Sequence, residues 1–287
     1  MQKLWSERSH TNIRGAAPSD TKVRDSWDAQ IDFLLTNYIS LVETFLLKNL
    51  DDHNIKMEQI LGHTGFYYEK ARALVAVFAD PRVETVCEIG FNAGHSALNA
   101  LAAHEGIQVL TFDLGEYWEE YGKHSYQLLE TSFPGQLDII LGDSTATVPK
   151  FAVEQPDRKC NVIFIDGGHT LEVASADIMN MATMANRTFH RVLVDDADWD
   201  DVRQAWEEAV SRGVVKETGW VHGNYCREYN LNEVMDNALG LNVPVLSPGE
   251  QSGPLDPDTV DADGNLPEGS YRIMPKGSIS FGEYIYL

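Results

Sequence analysis

Residues 87–98 read CEIGFNAGHSAL. An apolar run meets an acid, two glycines and a small hydroxyl, and then a stretch of helix formers. Gly90 and Gly94 allow a tight bend and close approach of a ligand to the backbone, and Ser96 is placed to cap the helix that follows. A dinucleotide turn has the spacing G-x-G-x-x-G, with the helix start facing a pyrophosphate. Here Asn92 and His95 stand where its second and third glycines belong. Glu88, just ahead of the turn, suits a cationic ligand better than a phosphate.

Outward from this turn the chain repeats one rhythm. VETVCEIG (83–90), QVLTFDL (108–114), LDIILGDS (137–144), CNVIFIDGG (160–168) and RVLVDDAD (191–198) are short β-rich runs separated by helical stretches. That alternation predicts βαβ units, hence an α/β fold with a parallel sheet and helices on both faces. The runs are almost continuously apolar, as strands buried on two faces should be. A helix is expected over about 199–212, followed by strand-like runs at 214–221 and 278–287. Upstream, apolar residues at Trp27, Ile31, Leu34, Tyr38, Val42, Phe45 and Leu46 have helical spacing, and a second helix runs from about Phe66 to Asp80-Pro81. Neither helix carries evident chemistry.

The chain divides accordingly. Residues 1–80 form an arm and a helical cap, 81–222 the α/β core, 223–275 an insertion and 276–287 a final core strand. The insertion holds 6 of the 11 prolines, 6 glycines, and 9 acids against 2 bases. It reads as a lid, an interface or a plain surface loop.

Composition narrows the partners. The chain has 287 residues, 43% of them hydrophobic, and a net charge of −22 from 44 acids and 22 bases. Nucleic acid and anionic membrane are disfavoured on electrostatic grounds, while a small neutral or cationic ligand is not. No run is long and apolar enough for a signal peptide or a membrane span. Three widely spaced cysteines, Cys87, Cys160 and Cys226, fit reduced intracellular thiols, and a cytoplasmic location is expected. A homo-oligomer is left open.

Each of the five core runs ends in an acid: Glu88, Asp113, Asp143, Asp166 and the pair Asp195-Asp196. Single acids there serve as helix caps. Five in succession put a ring of carboxylates around the crevice where such sheets bind ligands. Asp113 is placed to grip two ribose hydroxyls, and Asp143 with Ser144 to receive an adenine amine. A nucleoside with a cationic tail and no phosphate is the ligand that fits: S-adenosylmethionine.

With these motifs in order, the chain resembles the class I S-adenosylmethionine-dependent methyltransferases. Within them it resembles the branch with an I-D-G-x-H signature, that of the macrolide- and cephalosporin-pathway metal-dependent O-methyltransferases. The resemblance covers about residues 83–222 and the last strand, and it implies a Rossmann-like seven-stranded methyltransferase sheet. It also implies that Glu88, Gly90, Asn92, Gly94 and Ser96 surround the methionine part of the cofactor, Asp113 the ribose, and Asp143 and Ser144 the adenine. Asn92 departs from the glycine frequent there.

Strands four and five are neighbours in such a sheet, so Asp166, Asp195 and Asp196 are expected to meet. Three converging carboxylates repel unless something positive lies between them. Mg2+ takes oxygen ligands of this kind, and in the resembling enzymes such acids hold the metal. His169 would be the general base beside the acceptor, with Asp166 in the catalytic set. The plainer alternative is that Asp195 and Asp196 only start a helix and His169 only caps a turn. Tyr117 and Trp118 either stack on adenine or serve as core aromatics. The implied activity is methyl transfer to a small-molecule acceptor, a hydroxyl with Mg2+ assistance. The rivals are metal-independent N- or C-methyl transfer, a non-catalytic S-adenosylmethionine-binding subunit, and a nicotinamide oxidoreductase.

Overall fold

The computed structural model describes residues 46, 48–55, 68–103, 105–221 and 279–285. The insertion at 223–275, and all but the last turns of the helix expected from Trp27, lie outside the described residues. The order of elements is α1 (Tyr68–Phe78), β1 (Thr85–Ile89), α2 (His95–Ala103), β2 (Gln108–Asp113), α3 (Lys123–Ser132), β3 (Leu137–Leu141), α4 (Ser144–Glu154), β4 (Val162–Ile165), α5 (Leu171–Met181), β5 (Arg191–Val194), α6 (Asp200–Ser211), β6 (Val215–Val221) and β7 (Ile279–Tyr284).

These strands make one seven-stranded sheet in the order β3-β2-β1-β4-β5-β7-β6. β1 to β5 pair in parallel, and β7 runs antiparallel between β5 and β6. This is a Rossmann-like methyltransferase sheet. The strand order reverses between β1 and β4, so the crevice for a ligand opens at the ends of those two strands.

The near-continuous apolar runs divide between two cores, because successive side chains leave opposite faces of a strand. Val86, Val109, Phe164 and Leu193 pack with residues of α1, α2 and α3. Cys87, Leu110, Ile163 and Val192 pack with residues of α4, α5 and α6. Upstream of α1, a helical stretch reaches Asp52. Its Leu50 packs with Ala93 and Tyr121. Among the described residues, no helix is long and apolar enough to cross a membrane.

The cysteine reading is corrected here. Cys87 and Cys160 form a disulfide, and both are fully buried. Cys87 leaves β1 toward the face that also receives Cys160 at the foot of β4, and neighbouring strands bring the two within bonding reach. Wide spacing in the sequence hid a short distance in space. The pairing also removes the thiol argument for a cytoplasmic location.

Candidate functional site

The glycine turn closes around Asp113. Oδ2 of Asp113 accepts from the amides of Phe91 and Asn92 at 2.8 and 2.9 Å, and Oδ1 accepts from Gly115 at 2.7 Å. The carboxylate at the end of β2 thus organises the turn after β1. Asn92 has φ 50°, and Gly90 and Gly94 have φ 96° and 80°. Asn is the side chain that tolerates this left-handed region best, which accounts for its presence where glycine is frequent. The Asn92 Oδ1 accepts from the Tyr121 hydroxyl at 2.7 Å, fixing the turn from above.

The reasons for the two glycines differ. At Gly90 a β-carbon would run into the carbonyl oxygen of Asp166. At Gly94 it would meet the Phe91 ring at 2.9 Å and Leu129 at 3.1 Å. Gly94 answers to its own turn and to α3, and needs no ligand to explain it.

Glu88 and Ser96 lie beneath the turn. Glu88 is 1% exposed and accepts from the Ser96 hydroxyl at 2.7 Å. Ser96 is inside the first turn of α2 and does not cap it. Burial pushes the Glu88 carboxyl up to about 7, against the pull of Ser96 and Thr111. Both residues support the turn from below.

Asp143 caps α4, accepting from the Thr145 amide at 2.9 Å. Ser144 is buried against Asp177, whose carboxyl burial pushes up to about 6. Sequence reasoning missed the apolar edge between them and Asp113. Leu114 is 67% exposed and Leu141 42% exposed, at the ends of β2 and β3. Two exposed leucines beside Asp113 and Asp143 offer a flat ring something to lie against. Tyr117 stacks on Tyr121, and Trp118 tilts against Tyr126, so these aromatics find their partners within the protein.

At the other end of the crevice the parallel ladder continues past the strands. The Asp166 amide donates to Ile89 and the Asp195 amide to Ile165, both at 2.9 Å. Two packed glycines follow Asp166: a β-carbon on Gly167 would meet Asp177 and Ile89, and one on Gly168 would meet Val173. They bring His169 round to face β5. Its Nε2 lies 3.0 Å from Asp196 Oδ2, and its ring stacks on Trp199 at 4.5 Å. The Asp196 hydrogen bond opposes burial and raises the imidazole above its ordinary value.

Asp196 has φ 51°, which lets two consecutive aspartates serve different partners. Asp196 turns to His169, and Asp195 turns inward. Within the expected group of three carboxylates, Asp195 has a cation of its own. Asp195 is 2% exposed and Lys70 7% exposed, and Lys70 Nζ is ion-paired with Asp195 Oδ2. Burial works against the Lys70 charge, but Asp195, Asp166 and Asp196 more than offset it, and the ammonium is held above its usual value. Burial and the Asp195 carboxylate push Asp166 well above the usual carboxylate range.

Among the described residues, Asp166, His169 and Asp196 each offer a metal-ligand atom, all within 4.8 Å of one another. Asp195 is not in that set. Lys70 is the functional candidate that sequence reading overlooked, on a helix judged free of chemistry. Its signal was its position: Lys70, Leu74 and Phe78 share one helical face, which should have been apolar throughout.

Residues 87–197 match a family model described as a methyltransferase domain. The match runs from β1 past β5 and takes in the glycine turn, His169 and the Asp195-Asp196 pair. A search of curated proteins gave no significant match. Solved structures with the same fold include an O-methyltransferase from Bacillus cereus in complex with S-adenosylhomocysteine. It is 13% identical, with 90% of this chain and 98% of that one covered and a TM-score of 0.53. Another is TomG from Streptomyces achromogenes, an O-methyltransferase of tomaymycin synthesis in complex with S-adenosylmethionine. There the identity is 14%, the coverage 69% and 90%, and the TM-score 0.50. Cofactor-bound Rv0187 from MTB is 19% identical over 73% and 93% of the two chains, with a TM-score of 0.50.

Proposed function

We propose that this protein transfers the methyl group of S-adenosylmethionine to a hydroxyl of a small-molecule acceptor. The observation that carries the reading is the meeting, at one strand-order reversal, of the Asp113-organised glycine turn and the His169–Asp196 pair. The first half suits a nucleoside with a cationic tail. Asp113 receives the ribose hydroxyls, Leu114 and Leu141 flank the adenine, and Asp143 with Ser144 lies at its edge. The second half suits an acid–base step. Stretch 165–169, I-D-G-G-H, supports membership of the I-D-G-x-H branch.

The sulfonium methyl is already activated, so the protein's work is to align the acceptor and remove its proton. His169 takes that proton at an imidazole nitrogen, and Asp196 stabilises the imidazolium that results. Trp199, 52% exposed, supplies an apolar wall beside the ring. The net charge of −22 supports a small acceptor over a polyanion.

The Mg2+ expected from the sequence fits these residues incompletely. Mg2+ asks for a near-octahedral set of oxygens. Asp166 and Asp196 offer two carboxylates, a number Mg2+ accepts when water completes its octahedron. The third donor, however, is an imidazole already engaged with Asp196, and Asp195 is ion-paired with Lys70. A divalent ion held there would acidify the acceptor hydroxyl. The same imidazole could not then serve as both ligand and base, and no step is routed through a metal.

Titration calorimetry with S-adenosylhomocysteine tests the cofactor half, and labelled S-adenosylmethionine with a panel of phenols and sugars tests the transfer. His169→Ala should keep cofactor affinity and slow turnover by roughly 10²–10⁴-fold. A wild-type protein that binds no S-adenosylhomocysteine would end the proposal.

A further inference from the structure

Asp166, Asp195 and Asp196 crowd the ends of two paired strands. Charges of one sign so close together need a cation among them. The chain supplies one from α1, far upstream in the sequence. Lys70 is 7% exposed and ion-paired with Asp195, and its charge acts on Asp166 and Asp196 as well. Both Asp195 oxygens are engaged: Oδ1 accepts from the Asp196 amide at 2.7 Å and Oδ2 faces the ammonium.

We propose that Lys70 is the resident cation of this site, holding the place among the three carboxylates that a divalent metal ion would otherwise fill. The functional meaning rests on the methyltransferase reading, whereas the charge arrangement stands without it. A lysine ammonium is a single point charge on a tethered stem. It cannot be chelated away, and it cannot coordinate a hydroxyl and acidify it as a divalent ion does. Methyl transfer here is then independent of metal, and the acceptor proton falls to His169. Lys70 acts as a positioning residue: it fixes Asp195, whose carboxylate holds the Asp196 amide, and so sets the carboxylate that faces His169.

Mn2+ is the probe, titrated into chelator-treated protein alongside S-adenosylhomocysteine. Wild type should take up Mn2+ weakly and melt at the same temperature in excess chelator and in excess Mg2+. Lys70→Met leaves the carboxylates without their cation and should bind Mn2+ at least about tenfold more tightly. Its melting temperature should rise with Mg2+, as ligand linkage requires. Lys70→Arg keeps the charge and should behave as wild type. Adding Asp166→Asn to Lys70→Met should abolish the gain, which separates this site from general cation binding to an acidic chain. If Lys70→Met does not fold, Lys70→Gln decides by the same measurements. Equal Mn2+ affinity in wild type and the neutral variant, or a wild type that Mg2+ stabilises, overturns the proposal. A wild type that binds no S-adenosylhomocysteine breaks the methyltransferase reading instead, whatever Mn2+ does.

Discussion

Asp113 and Asp195 stand on the same edge of one sheet, both just where parallel strands end, and each carboxylate is satisfied by a different kind of partner. Asp113 is held by three backbone amides from the two turns nearest to it. Asp195 is held by the side chain of Lys70, on a helix that precedes the first strand. The first arrangement is made of chain geometry and survives most changes of side chain. The second depends on two particular residues, and losing either takes the ion-pair partner from a buried charge. The glycine-turn half thus rests on main-chain geometry, and the half around Asp195 on two particular side chains.

The largest test joins the two halves. The Cys87–Cys160 disulfide ties β1, which leads into the glycine turn, to the foot of β4, which leads to Asp166, across a sequence separation of 73. A loop of that length is worth about 4 kcal/mol of chain entropy. Reduction, or Cys160→Ser, should lower the urea midpoint accordingly, with both halves unfolding together in one transition. Two separate transitions would show that the halves are independent bodies.

A smaller effect sharpens the cofactor side. Asp113→Ala orphans the amides of Phe91, Asn92 and Gly115 and removes the proposed ribose acceptor. S-adenosylhomocysteine affinity should fall by about 2 kcal/mol, near thirtyfold. Mn2+ behaviour at the Lys70 cluster should not change, and a change there would blur the division just drawn.

The smallest effect is on the acceptor side. His169 has its pKa raised by Asp196 in the folded state. Its contribution to stability is therefore fully present below the unfolded value near 6.5 and is lost as pH rises through the folded one. The side chain is 39% exposed, so solvent screening keeps the term well under that of a buried pair. Melting temperature followed from pH 5 to 9 in wild type and His169→Ala should show a shallow extra decline in the wild type alone.

The order of strands and helices was open to the sequence because each run carried its own signal. Periodicity marks β1 to β5 to within a few residues, whereas Asp143, expected beside adenine, also caps α4. Asp166, His169 and Asp196 were named from the ends of their strands, and the structure brings them together. What escaped notice came from partners distant in the chain. Nothing near Asp195 points to Lys70, and nothing near Cys87 points to Cys160. Glu88 was read as a ligand contact because strand alternation does not say whether a polar residue looks into a crevice or under a helix. Ser96 was read as a cap for a similar reason, since the helix begins one residue before it.

Gly90 has a consequence of another order. Its α-carbon lies so close to the Asp166 carbonyl that no side chain of any kind can stand between them. The glycine turn and the loop after β4 are in bare main-chain contact, with no side chain there to compress or rotate. A displacement of the first turn is passed to the second as a push on the backbone. Substitutions elsewhere can retune either half, but this contact cannot be loosened one side chain at a time.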